Sequence, residues 1–223
     1  MTGMPTRNID ISDALAATIT RPNAPAAQLK ARREALSLFK EEDLAVPVFS
    51  YQIVPVLEMF GEMLSLEHGV LRAPGLTDRF TGLVSIAAVV CSLGSALEKR
   101  VSTLFAERKY SLALALDEIG TELLFHTDFQ ASTMIRDDAH RQGMTTSIEM
   151  NAGSSGLPLD QQPLVVSLSG GERHGVAVNE QGMLFPVKSL SMVIGIGANF
   201  PSQGASKRCD NCSSRKQCRI QMH

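Results

Sequence analysis

The chain predicts an α+β fold, and three features carry that expectation. Gly82–Leu93 is rich in Val, Ile and Ala and closes on Gly94, as a fully buried strand entering a tight turn does. Ser95–Gln142 then reads as two consecutive helices, the second about 30 residues long and able to cross a whole domain. Beyond Gly143 the pattern changes to short alternating strands, with a hairpin turn at Asn179–Gly182 and a strand over Ser189–Gly197. Helices followed by a hairpin-containing sheet, in place of alternating βα units, argue against a doubly wound sheet.

The elements follow in order. Residues 1–23 are polar and are expected to form a flexible N-terminal segment, ahead of one domain over 24–200 and a cysteine-rich tail over 201–223. Ala24–Glu42 has helical spacing, with Leu29, Arg33, Leu36 and Phe39 near one side. After Pro55, the residues Val56, Leu57, Phe60, Met63 and Leu64 are also spaced as in a helix, with the proline in its first turn. Ser95-x-x-Glu98 is a capping box, followed by the apolar stripe Leu97, Val101, Leu104 and Phe105. The long helix starts near Tyr110, and Gly143 stops it. Thr145–Met150 reads as a strand, Asn151–Pro158 as a loop, and Asp160 as the cap of a short helix through Val165, Val166 and Leu168. His174–Val178 and Met183–Val187 form the hairpin strands, and Leu190, Met192, Ile194 and Ile196 give the last strand its apolar face.

Composition removes several function classes. A chain of 223 residues with net charge −2 is not a basic protein that coats nucleic acid. With no tryptophan and two tyrosines it has few stacking platforms for single strands. The N-terminus lacks the apolar core of a signal peptide, and the longest apolar run, Leu83–Cys91, is about half a membrane span. A soluble cytoplasmic protein is expected, with neither nucleic acid nor membrane as partner.

Chemistry concentrates in three places. Three of the four cysteines, Cys209, Cys212 and Cys218, form C-x2-C-x5-C in the tail, with His223 nearby. A C-x2-C turn lets two thiolates converge on one metal, and Lys207, Arg208, Arg215, Lys216 and Arg219 favour the thiolate form. The readings are zinc held by all four residues, an iron–sulfur cluster on the three thiolates, or reduced thiols. Cys91 lies in the apolar strand and reads as a buried small hydrophobe. The second place is Asn151–Pro158, whose glycines and serines allow close backbone approach to a ligand. The third is the long helix, with Asp117, Glu118, Glu122, His126 and Asp128; Glu122 and His126 share a face. No Ser-His-Asp order, P-loop or H-E-x-x-H is present, and Gly195-Ile-Gly197 is not a dinucleotide fingerprint.

Taken in order, several of these runs resemble one family. They are Val90-Cys-Ser-Leu-Gly94, Leu112-Ala-Leu-Ala-Leu-Asp-Glu-Ile-Gly120, Ser154-Ser-Gly-Leu-Pro-Leu159 with Gln162, Met183-Leu-Phe-Pro-Val-Lys-Ser189, and the cysteine tail. The order resembles the activation (reactivation) domain of cobalamin-dependent methionine synthase, and more closely its stand-alone relatives with a C-terminal cysteine cluster. The resemblance covers roughly residues 25–223. It implies a curved antiparallel sheet with packed helices. It also implies S-adenosylmethionine (SAM) in a shallow groove, and docking on a separate corrinoid-binding protein or methyltransferase subunit to support its reductive reactivation. An electron donor protein is implied as a further partner. The resemblance implies that the cobalamin arrives on the partner. Carried over, the SAM contacts are Ser154, Ser155 and Gly156 in the loop and Glu122 or Asp128 on the helix. The family loop reads Arg-x-(Ser or Ala)-Pro-Gly-Tyr; here Ala152, Ser155 and Leu157 stand at its arginine, proline and tyrosine. Two other functions remain open: a non-enzymatic corrinoid-protein binding module with a structural zinc tail, and a SAM-binding protein unrelated to cobalamin.

Overall fold

The computed structural model describes residues 6–8, 25–78, 82–198 and 200. It is an α+β structure whose main sheet is antiparallel and curled. Along the sheet the order is β4 (Gly69–Arg72), β3 (Met63–Leu66), β2 (Val48–Phe60), β5 (Leu83–Ser92), β10 (Ser189–Gly197) and β6 (Thr145–Thr146). The short β1 (Thr6–Asn8) pairs with β2, so part of the N-terminal segment belongs to the sheet; β7 (Met150–Asn151) pairs with β10. A separate hairpin joins β8 (Ala177–Val178) to β9 (Leu184–Phe185).

β5 is the centre of the sheet because it can be: nine of its ten residues are buried, Val84 being the exception. Such an unbroken apolar run suits a strand covered on both faces. It pairs with β2 from Val48↔Ser92 to Pro55↔Ser85, and with β10 from Ser189↔Ser92 to Gly197↔Leu83.

Alternation then divides the side chains between two faces. Phe49, Tyr51, Val89, Cys91, Met192, Ile194 and Ile196 meet three helices: α1 (Ala26–Glu41), α2 (Ala96–Ala106) and α3 (Tyr110–Arg141). The 32-residue α3 keeps Leu116, Ile119, Leu123, Ile135 and Ala139 on that core at helical spacing. On the other face Val54, Ile86, Ala88 and Val193 pack against Leu76, Leu157, Val165, Leu168 and Phe200. This second cover is thinner: a helical turn (Pro74–Thr77), the loop after β7, and α4 (Gln162–Ser169). Among the described residues no helix is long and apolar enough to cross a membrane.

Several local expectations are corrected. The segment after Pro55 is not a helix but the far end of β2, which turns at Gly61 into β3. The apolar spacing there merges two strands, and exposure hides their alternation, since Leu57 is 66% and Phe60 48% exposed. Just past Pro55 the β2–β3 pairing carries a register shift between Val56 and Glu58. On α1 the buried arginine is Arg32, and Arg33 faces solvent. Phe105, expected in the α2 stripe, is 40% exposed.

Ser95 is the N-cap residue of α2 but makes no side-chain cap bond, and Glu98 instead accepts the Val187 N–H. A tertiary partner has outbid the local capping box. Ser95→Ala should therefore change stability by less than about 0.5 kcal/mol, against roughly 1 kcal/mol for a true cap; urea unfolding reads the difference. Asp160 likewise does not cap α4 and lies in the 3-10 turn before it.

Candidate functional site: a cavity beside the Ser154–Gly156 loop

The expected strand over Thr145–Met150 is broken, and the break builds the site. Ser147 makes both bonds to Gly195 of β10: its N–H donates to the carbonyl, and its Oγ accepts the Gly195 N–H at 2.8 Å. With a hydroxyl replacing one backbone group, the chain leaves the ladder at Ile148 and Glu149 and rejoins it at Met150. Those two residues form one wall of a cavity of about 290 Å³. Pro74, Gly75 and Asp78 form the opposite wall, and Ser154, Ser155 and Gly156 close it from the loop.

Two glycines let these walls meet. Gly75 donates its N–H to the Gly156 carbonyl at 3.1 Å. A Cβ on Gly75 would lie 2.7 Å from both Gly156 Cα and Met150 Sδ. The approach is therefore a steric demand for glycine, not a demand for an unusual φ. Loop closure is local: Gly153 donates to the Leu157 carbonyl at 2.8 Å, and Leu157, fully buried, pins the loop to the sheet face.

The electrostatics are acidic. Glu149, with its side chain 8% exposed, is paired with Arg136 of α3, whose Nη2 lies 3.5 Å from Glu149 Oε1. Asp78 lines the same cavity, and no basic residue does among those described. Carboxylates, two serine hydroxyls and a thioether make a lining suited to a small polar ligand carrying an ammonium group.

The structure separates the residues expected to act together. Ser154, Ser155 and Gly156 line the cavity. Glu122 does not: it accepts from Arg32 Nη2 at 2.7 Å, while Glu118 accepts from Arg32 Nη1 at 3.1 Å, joining α1 to α3. Asp128 is fully buried on α3, four residues before Ser132, whose hydroxyl contacts Met192 Sδ of β10. His126 is 2.7 Å from Gln130. Cys91 is buried in β5. Cys209, Cys212, Cys218 and His223 lie outside the described residues, and among the described residues no cluster of three His, Cys, Asp or Glu side chains is placed to hold a metal. A second opening of about 380 Å³ lies between α1 and α3, by Ala31, Leu114 and Glu118.

Sequence reasoning missed Pro74, Gly75, Asp78, Glu149 and Arg136. The Pro74-Gly75 dipeptide is a turn signal that marks the first wall. Glu149 and Arg136 carry no such signal, since their meeting depends on the ladder break at Ser147.

No protein-family model matches the chain, and no curated protein matches it. Among solved structures, it is similar to the MetH reactivation domain bound to AdoHcy, with a TM-score of 0.66 at 12% identity, covering 96% of this chain and 86% of that one. At this identity the likeness is one of fold.

Proposed function

We propose that this chain docks on a separate corrinoid-binding protein and supports its reductive reactivation, in a methyltransferase system such as a split methionine synthase. The carrying observation is the shared fold with the MetH reactivation domain over 96% of the chain. The cavity adds to it. Its acidic lining and hydroxyls fit the ammonium group of SAM's amino-acid end. When bound, SAM would supply the methyl group that captures the reduced corrinoid. The chain's own task is then positioning: Ser154, Ser155, Gly156 and Glu149 hold the ligand, with Glu122 and Asp128 supporting from α3 through its packing.

The test is an anaerobic mixture of this chain, a purified methionine-synthase-type cobalamin protein in its cob(II)alamin form, a low-potential reductant and SAM. Conversion to methylcobalamin that requires the chain supports the proposal. Conversion at the same rate without it contradicts the proposal.

Ala152 at the family's arginine position favours a second reading, a docking module that clamps its partner without redox effect. That reading predicts co-purification with the corrinoid protein and unchanged cobalamin state. SAM binding with no affinity for any corrinoid protein would mark the third, cobalamin-independent function.

The tail bears on the electron's route. We infer that Cys209, Cys212 and Cys218 hold an iron–sulfur cluster or, with His223, a zinc ion. A cluster would let the chain pass an electron itself, whereas zinc would be structural. Cys212→Ala is expected to abolish bound metal and leave the melting temperature of the domain nearly unchanged, read by metal analysis and calorimetry on protein prepared without oxygen. Unchanged metal content in that variant would rule the site out.

A further inference from the structure

We propose that the chain pairs with a second copy of itself through the bare face at the β2–β3–β4 end of the sheet. The inference does not depend on what the cavity binds. Alternation gives these strands two faces. Leu64, Leu66 and Leu71 pack into the core shared with Val54 and Ile86, so Met63, Ser65, Val70 and Arg72 take the opposite face. Register sets Glu58, Ser65 and Val70 in one row across the strands, and Phe60, Met63 and Arg72 in the next. Ile53, opposite Ala87 of the helix-side core, and Pro55 continue this face along β2.

The helices do not reach it. Tyr51 is buried and donates to Asp138 Oδ2 at 2.9 Å, and α3 ends one turn later at Arg141. Beyond Tyr51, Ile53 is 38%, Phe60 48% and Val70 45% exposed, and Leu57, displaced at the register shift, is 66% exposed. The cavity lies with Met150 and Leu157 on the other face of the sheet, so pairing here leaves it accessible.

Area and charge select a second copy as the occupant. With Pro55 and Met63, these side chains offer on the order of 400 Å² of apolar surface, about the apolar share of a standard interface of roughly 800 Å² per partner. Within these strands the face carries one acid and one base, at opposite corners: Glu58 on β2 and Arg72 on β4. Both are exposed, Arg72 by 47% and loosely held by Glu62 at 3.5 Å. A two-fold axis lying in the face and crossing that diagonal sets Glu58 of each copy over Arg72 of the other, and Phe60 over its own counterpart. The surface is therefore complementary to itself, as an isologous contact requires.

The test is sedimentation equilibrium on the full chain through the micromolar range. The parent should show twice the 24.1 kDa mass of one chain. Phe60→Asp should give the single-chain mass with an unchanged circular dichroism spectrum, because its side chain is half exposed and supports no core. Glu58→Arg and Arg72→Glu should each weaken pairing at least about tenfold by setting like charges face to face. Combined, the two swaps should restore most of it, which also guards against a folding defect in either. A monomeric parent would overturn the proposal and leave the face to a different protein. A dimer that survives Phe60→Asp, or a double swap no better than the single ones, would overturn it as well.

Discussion

Arg32→Met is expected to destabilise the chain by about 3 kcal/mol, a large share of the roughly 5–15 kcal/mol that holds a domain folded. Arg32 is 1% exposed and bridges Glu118 and Glu122 across the α1–α3 interface. Methionine matches the aliphatic stem but leaves two carboxylates facing a buried surface with their cation removed. The cost comes chiefly from those stranded charges and not from the lost attraction, which desolvation largely offsets. Glu122, 13% exposed, should suffer more than Glu118 at 30%, which can turn to water. Adding Glu122→Gln to Arg32→Met should therefore recover a substantial part of the loss, a coupling that a double-mutant cycle by urea unfolding measures. A single variant within about 1 kcal/mol of the parent would mean that α1 is held by Leu36 and Phe39 alone.

Gly75→Ala is the second large effect, and it falls on binding as well as stability. The added Cβ would sit 2.7 Å from the Gly156 backbone, where ordinary contact begins at 3.4 Å. The gap cannot be relieved by a side-chain rotation on the Gly156 side, because the atom met is backbone. The helical turn and the loop must part, and the Gly75–Gly156 hydrogen bond goes with them. Overpacking of this kind costs about 1–3 kcal/mol. The wall formed by Gly156 would shift against Glu149, and adenosyl-ligand affinity should fall at least about tenfold, in line with a positioning error of a fraction of an ångström or more at a preorganised site. Calorimetry with S-adenosylhomocysteine checks the affinity, and thermal unfolding checks the fold. Wild-type affinity in Gly75→Ala would show that the cavity is not where the ligand sits.

Much of the architecture was legible because burial and period agree. The apolar run of β5, the helical spacing of α2 and α3, the Asn179–Gly182 turn and the alternation of β10 each point to one structure, and each forms. The α+β class follows from them, whereas the curled antiparallel sheet came from the family resemblance, and both form. Val56–Leu64 misled because its apolar residues are on the surface: Leu57 and Phe60 bury little, so their spacing records no core. The Ser95–Glu98 box misled because Val187, distant in sequence, takes the glutamate.

The site divides in the same way. The Asn151–Pro158 loop could be singled out because its composition is local information, and the family resemblance picked Ser154, Ser155 and Gly156 within it, which line the cavity. Glu122 lies on a helix and Glu149 between two short strands, and nothing in their sequence neighbours says which faces a cavity. Only the packing of α1 claims Glu122 through Arg32, and only the departure of the chain from the sheet edge delivers Glu149.

That departure gives the sheet edge and the ligand wall a common mechanical origin. Ser147 is a hinge pin: two hydrogen bonds to Gly195 fix where the backbone turns, and Glu149 moves with it. A partner that bent β10 at this edge, or competed for those bonds, would shift the carboxylate and with it the affinity of any ligand in the cavity. Thermodynamic reciprocity then requires the ligand to change the partner's affinity by the same factor. A single serine hydroxyl would thus be the element shared by the cavity wall and the sheet edge.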